Sequence, residues 1–211
     1  MKKRGILIGG GAFGREVLSW ANDRSVDDRD VEFDHFLDVD ATVLDAFSEY
    51  SLKHLGDPDT YVPVEGDVFL IAIGSPSMKE RISRRLLLMG GQFTRVVHPS
   101  AVVSKAAQIG AGVIIGPQSY VATHSVLDDF TCVNSLSGIG HDANIGRYCT
   151  ISSQADIMGS VQLGERVFVG SGARILPNVK VQQGSKIGAG SIVVKNLGED
   201  SSVFAQPARK I

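Results

Sequence analysis

Residues 133–152 read VNSLSGIGHDANIGRYCTIS, and an aliphatic residue recurs in this stretch at every sixth position. The same spacing extends from Val97 to Val193, where seventeen successive sixth positions are all Val, Ile or Leu. Two positions before these residues, from Ala101 to Ser191, the chain always has Ala, Ser, Thr, Cys or Val. Neither a strand period of 2 nor a helix period of 3.6 gives this pattern. Hexapeptide repeats of this kind are typical of a parallel β-helix.

Each repeat predicts a short strand followed by a corner, and three repeats make one triangular coil of about 18 residues. The aliphatic residue points into the prism, and the small residue shares the tight interior near a corner. A glycine often follows the aliphatic residue, and we expect it to ease the turn. The run 97–193 has no inserted loop and gives a little over five coils. Because the prism is rigid and filled, only its outward residues are available for function.

Residues 1–92 follow a different pattern, in which strands alternate with helices. RGILIGG predicts a buried strand that enters a glycine-rich turn, and AFGREVLSWAN predicts the helix after it. VEFDHFLDVD and the nearly all-apolar DVFLIAIG predict two further strands. A second helix is expected to begin at Pro76 and to bury Met78, Ile82, Leu86 and Met89. We therefore predict an α/β domain with a small parallel sheet at 1–92, followed by a β-helix domain with a C-terminal tail at 93–211.

The composition excludes several classes of partner. With 21 basic and 23 acidic residues the net charge is −2, which favours neither nucleic acid nor an anionic membrane. No apolar run approaches the roughly 20 residues of a membrane span, and the opening MKKRGILIGGGAFGREVL lacks the apolar core of a signal peptide. The two cysteines, Cys132 and Cys149, give no disulfide framework. We therefore expect a cytoplasmic protein with no membrane partner.

Six stretches of the chain together resemble a known family. They are ILIGGGAFGREV, VVHPSA, VNSLSGIGHD, IGRYCTIS, VFVGSGARILPNV and IGAGSIVVKN. The chain resembles bacterial nucleotide-sugar N-acetyltransferases of surface-glycan synthesis, a group that includes the sialic-acid O-acetyltransferase-like proteins. The resemblance implies a left-handed β-helix, a homotrimer and acetyl-CoA bound between adjacent prisms. It also implies a nucleotide-diphosphate amino sugar as acceptor, expected to be a 4-amino-4,6-dideoxy sugar, with sugar O-acetylation as the alternative.

His141 and Asp142 are the predicted catalytic residues. They follow Ile139 and Gly140, so they lie just past a corner and cannot both be inside the prism. Such a pair is ordinarily a solvated surface feature. A neutral imidazole can nevertheless accept a proton from an attacking amine, and an adjacent carboxylate strengthens it as a base. The resemblance assigns His141 as the general base and Asp142 as the group that raises its basicity.

The resemblance also points to residues that contact the substrates. It makes Asn134 an active-site polar group, although a plain corner residue is an equally good interpretation. Thr150 stands where the family can carry a second histidine, and its hydroxyl is expected to donate to the thioester oxygen. The pantetheine arm and phosphates of acetyl-CoA are expected on the side of Gly159, Ser171, Ala189 and Lys195. In the tail VFAQPARKI, Arg209 is expected either to meet a CoA phosphate or to end the chain in solvent.

The acceptor residues are predicted in the first domain. Gly9, Gly11 and Gly14 fit G-x-G-x-x-G between a strand and a helix, where a backbone can approach a diphosphate. We place Gly11, Ala12 and Phe13 near the diphosphate or sugar. Asp38 and Val39 are expected to reach the base, and Gly74 to flank it.

Two other classes of function stay open at this stage. The glycine motif with Asp38 also suits a NAD-binding oxidoreductase fused to an oligomerising prism, although the domain is small for a dinucleotide fold. A non-catalytic trimeric scaffold is the other class. A zinc site is not expected, because His98, His124 and His141 include no close pair. His98 is expected to shape the join between the domains.

Overall fold

The computed structural model describes residues 3–23 and 31–205. A parallel five-stranded sheet comes first, with strands β1 (Arg4–Ile8), β2 (Phe33–Leu37), β3 (Lys53–His54), β4 (Asp67–Ile71) and β5 (Gln92–Phe93). Helix α1 (Ala12–Asn22) follows β1, and helix α2 (Pro76–Leu88) follows β4. The strand order is β3-β2-β1-β4-β5, so the chain reverses its direction of winding between β1 and β4. The predicted domain boundary at 92/93 falls inside β5, which is still part of this sheet.

The remainder is a left-handed parallel β-helix with three faces. The face that carries the α/β domain, here the docked face, has strands β6 (Val96–Val97), β9 (Ile114–Ile115), β12 (Cys132–Val133), β15 (Thr150–Ile151), β18 (Phe168–Val169), β21 (Lys186–Ile187) and β23 (Ser202–Val203). The second face has β7 (Val102–Val103), β10 (Tyr120–Val121), β13 (Gly138–Ile139), β16 (Asp156–Ile157), β19 (Arg174–Ile175) and β22 (Ile192–Val193). The third face has β8 (Gln108–Ile109), β11 (Val126–Leu127), β14 (Asn144–Ile145), β17 (Gln162–Leu163) and β20 (Lys180–Val181).

The sixfold repeat sets the core of the prism, as predicted. The aliphatic residue that ends each strand points inward, and Val133, Ile139, Ile145 and Ile151 are completely buried. From β6 to β22, each strand pairs in parallel with the strand 18 residues away, as Cys132 with Thr150, and β23 pairs with β21 at a spacing of 16. Because no repeat is interrupted, the aliphatic residues form one continuous cluster along the column.

The glycines of the repeat have a different role from the one predicted. Left-handed φ values recur every six residues, but they fall two positions further on, for example at Asp142 (φ 59°) rather than at Gly140. Gly140 is required instead by close packing, because a Cβ there would lie 2.5 Å from the Gly159 nitrogen in the next coil. Polar and even aromatic residues accept the strained positions, since the ladders on all three faces hold the backbone.

Helix α2 buries a different face from the predicted one. Ile82 and Leu86 are buried as expected, but Met78 and Met89 are exposed, and the other buried positions are Lys79 and Ser83. The helix packs on the prism, where polar contacts lie within the interface. The sequence pattern alone did not show this, because a lysine and a serine normally mark the outer face of a helix.

Aromatic residues fix the first domain on the prism. Phe93 packs edge-on against Phe130 with ring centroids 4.9 Å apart, and Phe130 stacks on Tyr148 at 5.5 Å. At the other side, His98 reaches Asp23 at the end of α1 with 3.2 Å between Nε2 and Oδ2, which matches its predicted place at the join. Within residues 3–23 and 31–205, no helix is long and apolar enough to cross a membrane.

Candidate active site

His141 and Asp142 lie at the corner between the second and third faces, just after β13. The corner is held by bonds to both neighbouring coils. The Asp142 N–H donates to the Thr123 carbonyl at 3.1 Å, and the Ser160 N–H donates to the His141 carbonyl at 2.8 Å. Asp142 has φ 59°, a conformation that Asp tolerates better than most residues. The backbone therefore presents both side chains outward from a rigid support.

The two side chains form a hydrogen-bonded pair. His141 Nδ1 lies 2.7 Å from Asp142 Oδ2, and the side chains are 65% and 57% exposed. An ionised carboxylate can only accept, so the shared proton belongs to Nδ1. In the neutral ring this leaves the lone pair on Nε2, which has no hydrogen-bond partner among the described residues. In this arrangement Nε2 is the ring nitrogen that can accept a proton.

Gly159 lies directly beneath the imidazole. A Cβ on Gly159 would come within 2.6 Å of His141 Nε2 and 2.7 Å of Cε1, closer than real side chains pack. The absence of a side chain at this position therefore allows the ring to lie against the next coil. Gly159 was predicted as a cofactor contact, and its visible effect in the structure is to make room for the base.

The other predicted cofactor residues divide between two corners. Lys195 lies on the same corner as His141, toward the C-terminal end of the prism, whereas Ser171 and Ala189 lie between the docked and second faces with Asn134. These two corners flank the second face. At the C-terminal end of this face, a cavity of about 290 Å³ is lined mostly by apolar side chains, together with Ser191 and Lys195. Arg209 lies outside the described residues.

Thr150 is placed differently from the prediction. It begins β15 on the docked face and is 2% exposed. Its Oγ1 donates to the Gly74 carbonyl at 2.9 Å and accepts from Lys79 Nζ at 3.0 Å. Since the hydroxyl is enclosed and both partners are protein groups, the geometry gives Thr150 a role at the domain interface rather than the predicted contact with the thioester.

Lys79 is a buried amine in this interface, 1% exposed. Nζ donates to Thr150 Oγ1 and to the Cys149 carbonyl at 3.0 Å, and no carboxylate pairs with it among the described residues. Burial lowers the pKa of Lys79 below its ordinary value of 10.5. Burial also raises the pKa of the neighbouring thiols, Cys132 to about 11 and Cys149 to about 12.

These shifts predict how Lys79→Met alters the pH dependence of stability. Between the lowered folded pKa and 10.5 the unfolded chain binds more protons at Lys79 than the folded chain, so this group makes stability rise with pH there. The thiols oppose it above 9.0, because their pKa values are raised on folding, but both proteins carry them. We therefore expect the difference in free energy of unfolding, wild type minus variant, to increase as the pH rises toward 10.5.

The measurement is urea unfolding of both proteins from pH 7 to pH 10.5. At pH 7 the variant should be no less stable, since the Cys149 carbonyl keeps its bond from the Cys132 N–H, 2.9 Å long, and the Thr150 hydroxyl keeps Gly74. Two parallel stability curves would contradict a depressed pKa at Lys79.

The carboxyl ends of β1, β2 and β4 bring the predicted acceptor residues to one edge of the sheet. Gly11, Ala12 and Phe13 follow β1, and Gly74 follows β4, on the two sides of the point where the winding reverses. Ligands of open α/β sheets bind in the crevice at such a point. Gly9 has φ 94°, and a Cβ on Gly14 would lie 1.9 Å from the Gly9 carbonyl oxygen. Gly11 is open, with no atom near its absent Cβ.

Asp38 and Val39 follow β2 at the same edge. Val39 is exposed, and the Asp38 carboxylate holds the glycine-rich turn by accepting from the Gly10 N–H at 2.8 Å. It also accepts from the Asp40 N–H at 3.1 Å. The Asp38 carboxylate, which was expected to reach a nucleotide base, thus holds the glycine-rich turn in this structure.

The structure adds a cleft that the sequence analysis missed. A cavity of about 420 Å³ lies between the first turn of α2 and the C-terminal part of the docked face. Ser75 and Ser77 line it from the helix, and Arg166 and Lys186 line it from the prism. Lys186 has no ion-pair partner in the described part of the chain. The sequence signal for this cleft would have been the basic residues at outward positions of the repeats, such as Arg166 and Lys186.

No group of three or more metal-ligating residues is assembled within 3–23 and 31–205. His98 contacts Asp23 and Ser100, and His124 lies beside Thr123.

A left-handed β-helix with an outward His–Asp pair on one corner and a parallel α/β domain docked on one face has the architecture of a hexapeptide-repeat acetyltransferase.

Comparison with known proteins gives more specific relatives. GDP-perosamine N-acetyltransferase from Escherichia coli O157:H7 is 33% identical over 93 residues, 44% of this chain and 42% of that protein. UDP-N-acetylbacillosamine N-acetyltransferase from Bacillus subtilis (strain 168) is 30% identical over 117 residues, 54% of this chain and 51% of that protein. The chain thus spans about half the length of the curated relatives it matches. No protein-family model matches.

A solved structure matches over almost the whole chain. A histidine variant of perosamine N-acetyltransferase from Caulobacter crescentus, in complex with CoA and GDP-perosamine, has a TM-score of 0.84 at 26% identity. The match covers 97% of this chain and 95% of that one. The chain therefore resembles the nucleotide-sugar N-acetyltransferases, as its motifs predict.

Proposed function

We propose that this protein transfers the acetyl group of acetyl-CoA to the amine of a nucleotide-linked sugar, the expected acceptor being a 4-amino-4,6-dideoxy sugar. The observation that carries the proposal is the His141–Asp142 pair, with 2.7 Å between Nδ1 and Oδ2 and Nε2 free. The crevice at the carboxyl edge of the sheet supports a nucleotide-linked acceptor. The CoA and GDP-perosamine of the Caulobacter complex support the same donor and acceptor classes. We place the reaction in cytoplasmic synthesis of a bacterial surface glycan.

The chemistry follows from the position of the base. The sugar amine attacks the carbonyl carbon of the thioester, and His141 Nε2 accepts the proton that the nitrogen loses. A C–N bond forms, the C–S bond breaks, and the proton passes from Nε2 to the departing thiolate to give CoA. Asp142 stabilises the imidazolium through Nδ1. Backbone donors near the corner are expected to stabilise the oxyanion, because Thr150 is enclosed at the domain interface.

We further propose a homotrimer with the second face in the contact between protomers. His141 is 65% exposed, so one prism alone encloses little of a substrate. The second face exposes Val102 (63%), Tyr120 (52%) and Ile192 (60%), and such apolar surface is typical of an interface. A closed threefold ring would bring the His141 corner of one protomer to the corner with Asn134, Ser171 and Ala189 on the next.

Tyr120→Glu tests this assembly. A charge at Tyr120, in strand β10 of the second face, should be tolerated in a monomer, where the side chain is exposed, but not in a buried contact. We expect the variant to be monomeric by light scattering and to lose at least about tenfold in kcat/KM, because half of each site is removed. Gln162→Glu, an equal charge change on the exposed third face, should stay trimeric and active. A wild type that is already monomeric and active would contradict the proposal.

The proposed reaction is tested by incubating the protein with acetyl-CoA and GDP-, UDP- and dTDP-linked amino sugars. Thiol release measures turnover, and mass spectrometry of the product locates the added acetyl group. N-acetylation of one of these sugars is the expected result. Acetylation of a hydroxyl would indicate the sialic-acid type of activity. Reduction of NAD without thiol release would indicate an oxidoreductase, and no reaction with any donor would indicate a scaffold.

A further inference from the structure

A directed chain of hydrogen bonds crosses the interface between the first domain and the prism. Lys79 Nζ donates to Thr150 Oγ1 at 3.0 Å, and Thr150 Oγ1 donates to the Gly74 carbonyl at 2.9 Å. A hydroxyl has one proton. Because Thr150 donates that proton to the Gly74 carbonyl, it can only accept from Lys79, and the direction of both bonds is fixed. Lys79 and Thr150 are both buried, and bonds in such an environment are stronger than in water.

This series of hydrogen bonds ends on the loop that borders the crevice at the carboxyl edge of the sheet, where the acceptor is proposed to bind. Gly74 and Ser75, here the acceptor lip, connect the carboxyl end of β4 to α2. The lip is also held from its other end, because the backbone N–H of Lys79 donates to the Ser75 carbonyl at 2.9 Å. One residue thus contributes its backbone to one end of the lip and its side chain, through Thr150, to the other.

The attachment point is in the coil that carries the base. Strands β13, β14 and β15 are consecutive, so Thr150 and His141 belong to one turn of the prism. That turn is paired in register with the coils on both sides, as Thr150 with Cys132 and with Phe168. A rigid path therefore runs from the catalytic corner to the acceptor lip.

We propose that Lys79 and Thr150 are positioning residues that fix the acceptor lip to the catalytic coil and so set the distance between the bound nucleotide and the base. The inference rests on the proposed function for its kinetic consequence. Its structural content, an anchored lip, is independent of the activity. An acceptor held by its nucleotide should depend on this distance, whereas acetyl-CoA and a free amino sugar without a nucleotide should not.

The test compares Thr150→Val with Thr131→Val. Both substitutions remove a buried hydroxyl that bonds to a backbone carbonyl, but Thr131 Oγ1 donates at 3.1 Å to Gly146 inside the prism, away from the lip. We expect Thr150→Val to raise the KM for the nucleotide sugar about tenfold, the effect of losing one buried hydrogen bond. The KM for acetyl-CoA and the rate with a free amino sugar should be unchanged, and Thr131→Val should change none of the three. Thr150→Ser should restore the acceptor KM.

Amide hydrogen exchange separates this proposal from the proposed function. Peptides covering residues 72–78 should exchange faster in Thr150→Val and should not exchange faster in Thr131→Val. The increase should be smaller in Lys79→Met, because the Thr150 hydroxyl keeps Gly74 and loses only the donor that orients it. If wild type acetylates no nucleotide sugar, the proposed function fails, and the exchange data still decide whether the lip is anchored. Equal exchange in all variants would overturn the anchor. Faster exchange with an unchanged acceptor KM in an active enzyme would overturn the positioning role.

Discussion

Replacing His141 with asparagine is expected to lower kcat by about 10² to 10⁴, the contribution of a well-placed general base. The amide is similar in size, but it cannot accept a proton at the position of Nε2. The corner should not change, because it is held by backbone bonds to Thr123 and Ser160 rather than by the imidazole. Binding of acetyl-CoA and the oligomeric state should therefore be retained, as measured by calorimetry and light scattering.

His124→Asn is the matched control for this prediction. His124 lies on the same corner one coil earlier, with φ 57°, a conformation that asparagine accepts readily. It has no carboxylate partner among the described residues, in contrast to His141 with Asp142 at 2.7 Å. We expect full activity from this variant. Equal losses in both variants would point to a general effect of the corner, and a fully active His141→Asn would exclude the imidazole as the base.

The prism could be predicted from the sequence because each sixth-position aliphatic residue fills its core. Every coil must fill the same triangular interior, so the aliphatic residue recurs without exception, and Ile139 and Ile145 are buried as predicted. The His–Asp pair could be located for the same reason. Once the register is known, residues after Gly140 must lie on a corner and point outward.

The contacts between the two domains could not be predicted in this way. Nothing in the repeat distinguishes the three faces, so the sequence did not show that Thr150 is covered by α2. The burial of Lys79 ran against the expected pattern, because a lysine on a helix normally marks its solvated side. Within the first domain, the bond from the Gly10 N–H to the Asp38 carboxylate was likewise not predicted. Each of these depends on a partner that is distant in sequence.

Gly159→Ala should abolish most of the activity without unfolding the protein. The new Cβ would meet His141 Nε2 at 2.6 Å, so the imidazole must move. The obstacle is a side-chain ring rather than backbone, and Gly159 does not have the left-handed φ that disfavours alanine. The cost in stability should therefore stay within about 1 kcal/mol. Displacing a base by about 1 Å should lower kcat about 10²-fold.

Steady-state kinetics and thermal unfolding of this variant separate a displaced base from a damaged fold. Gly198→Ala is the matched control, because its Cβ would meet only Ser201 Oγ at 3.8 Å, an ordinary contact. That variant should keep both its activity and its Tm. If Gly159→Ala keeps wild-type kcat, the imidazole does not need to lie against the next coil to act. A loss of kcat together with a large drop in Tm would instead assign Gly159 to the fold alone. The expected result, a low kcat with a nearly unchanged Tm, would locate the working position of the base above Gly159.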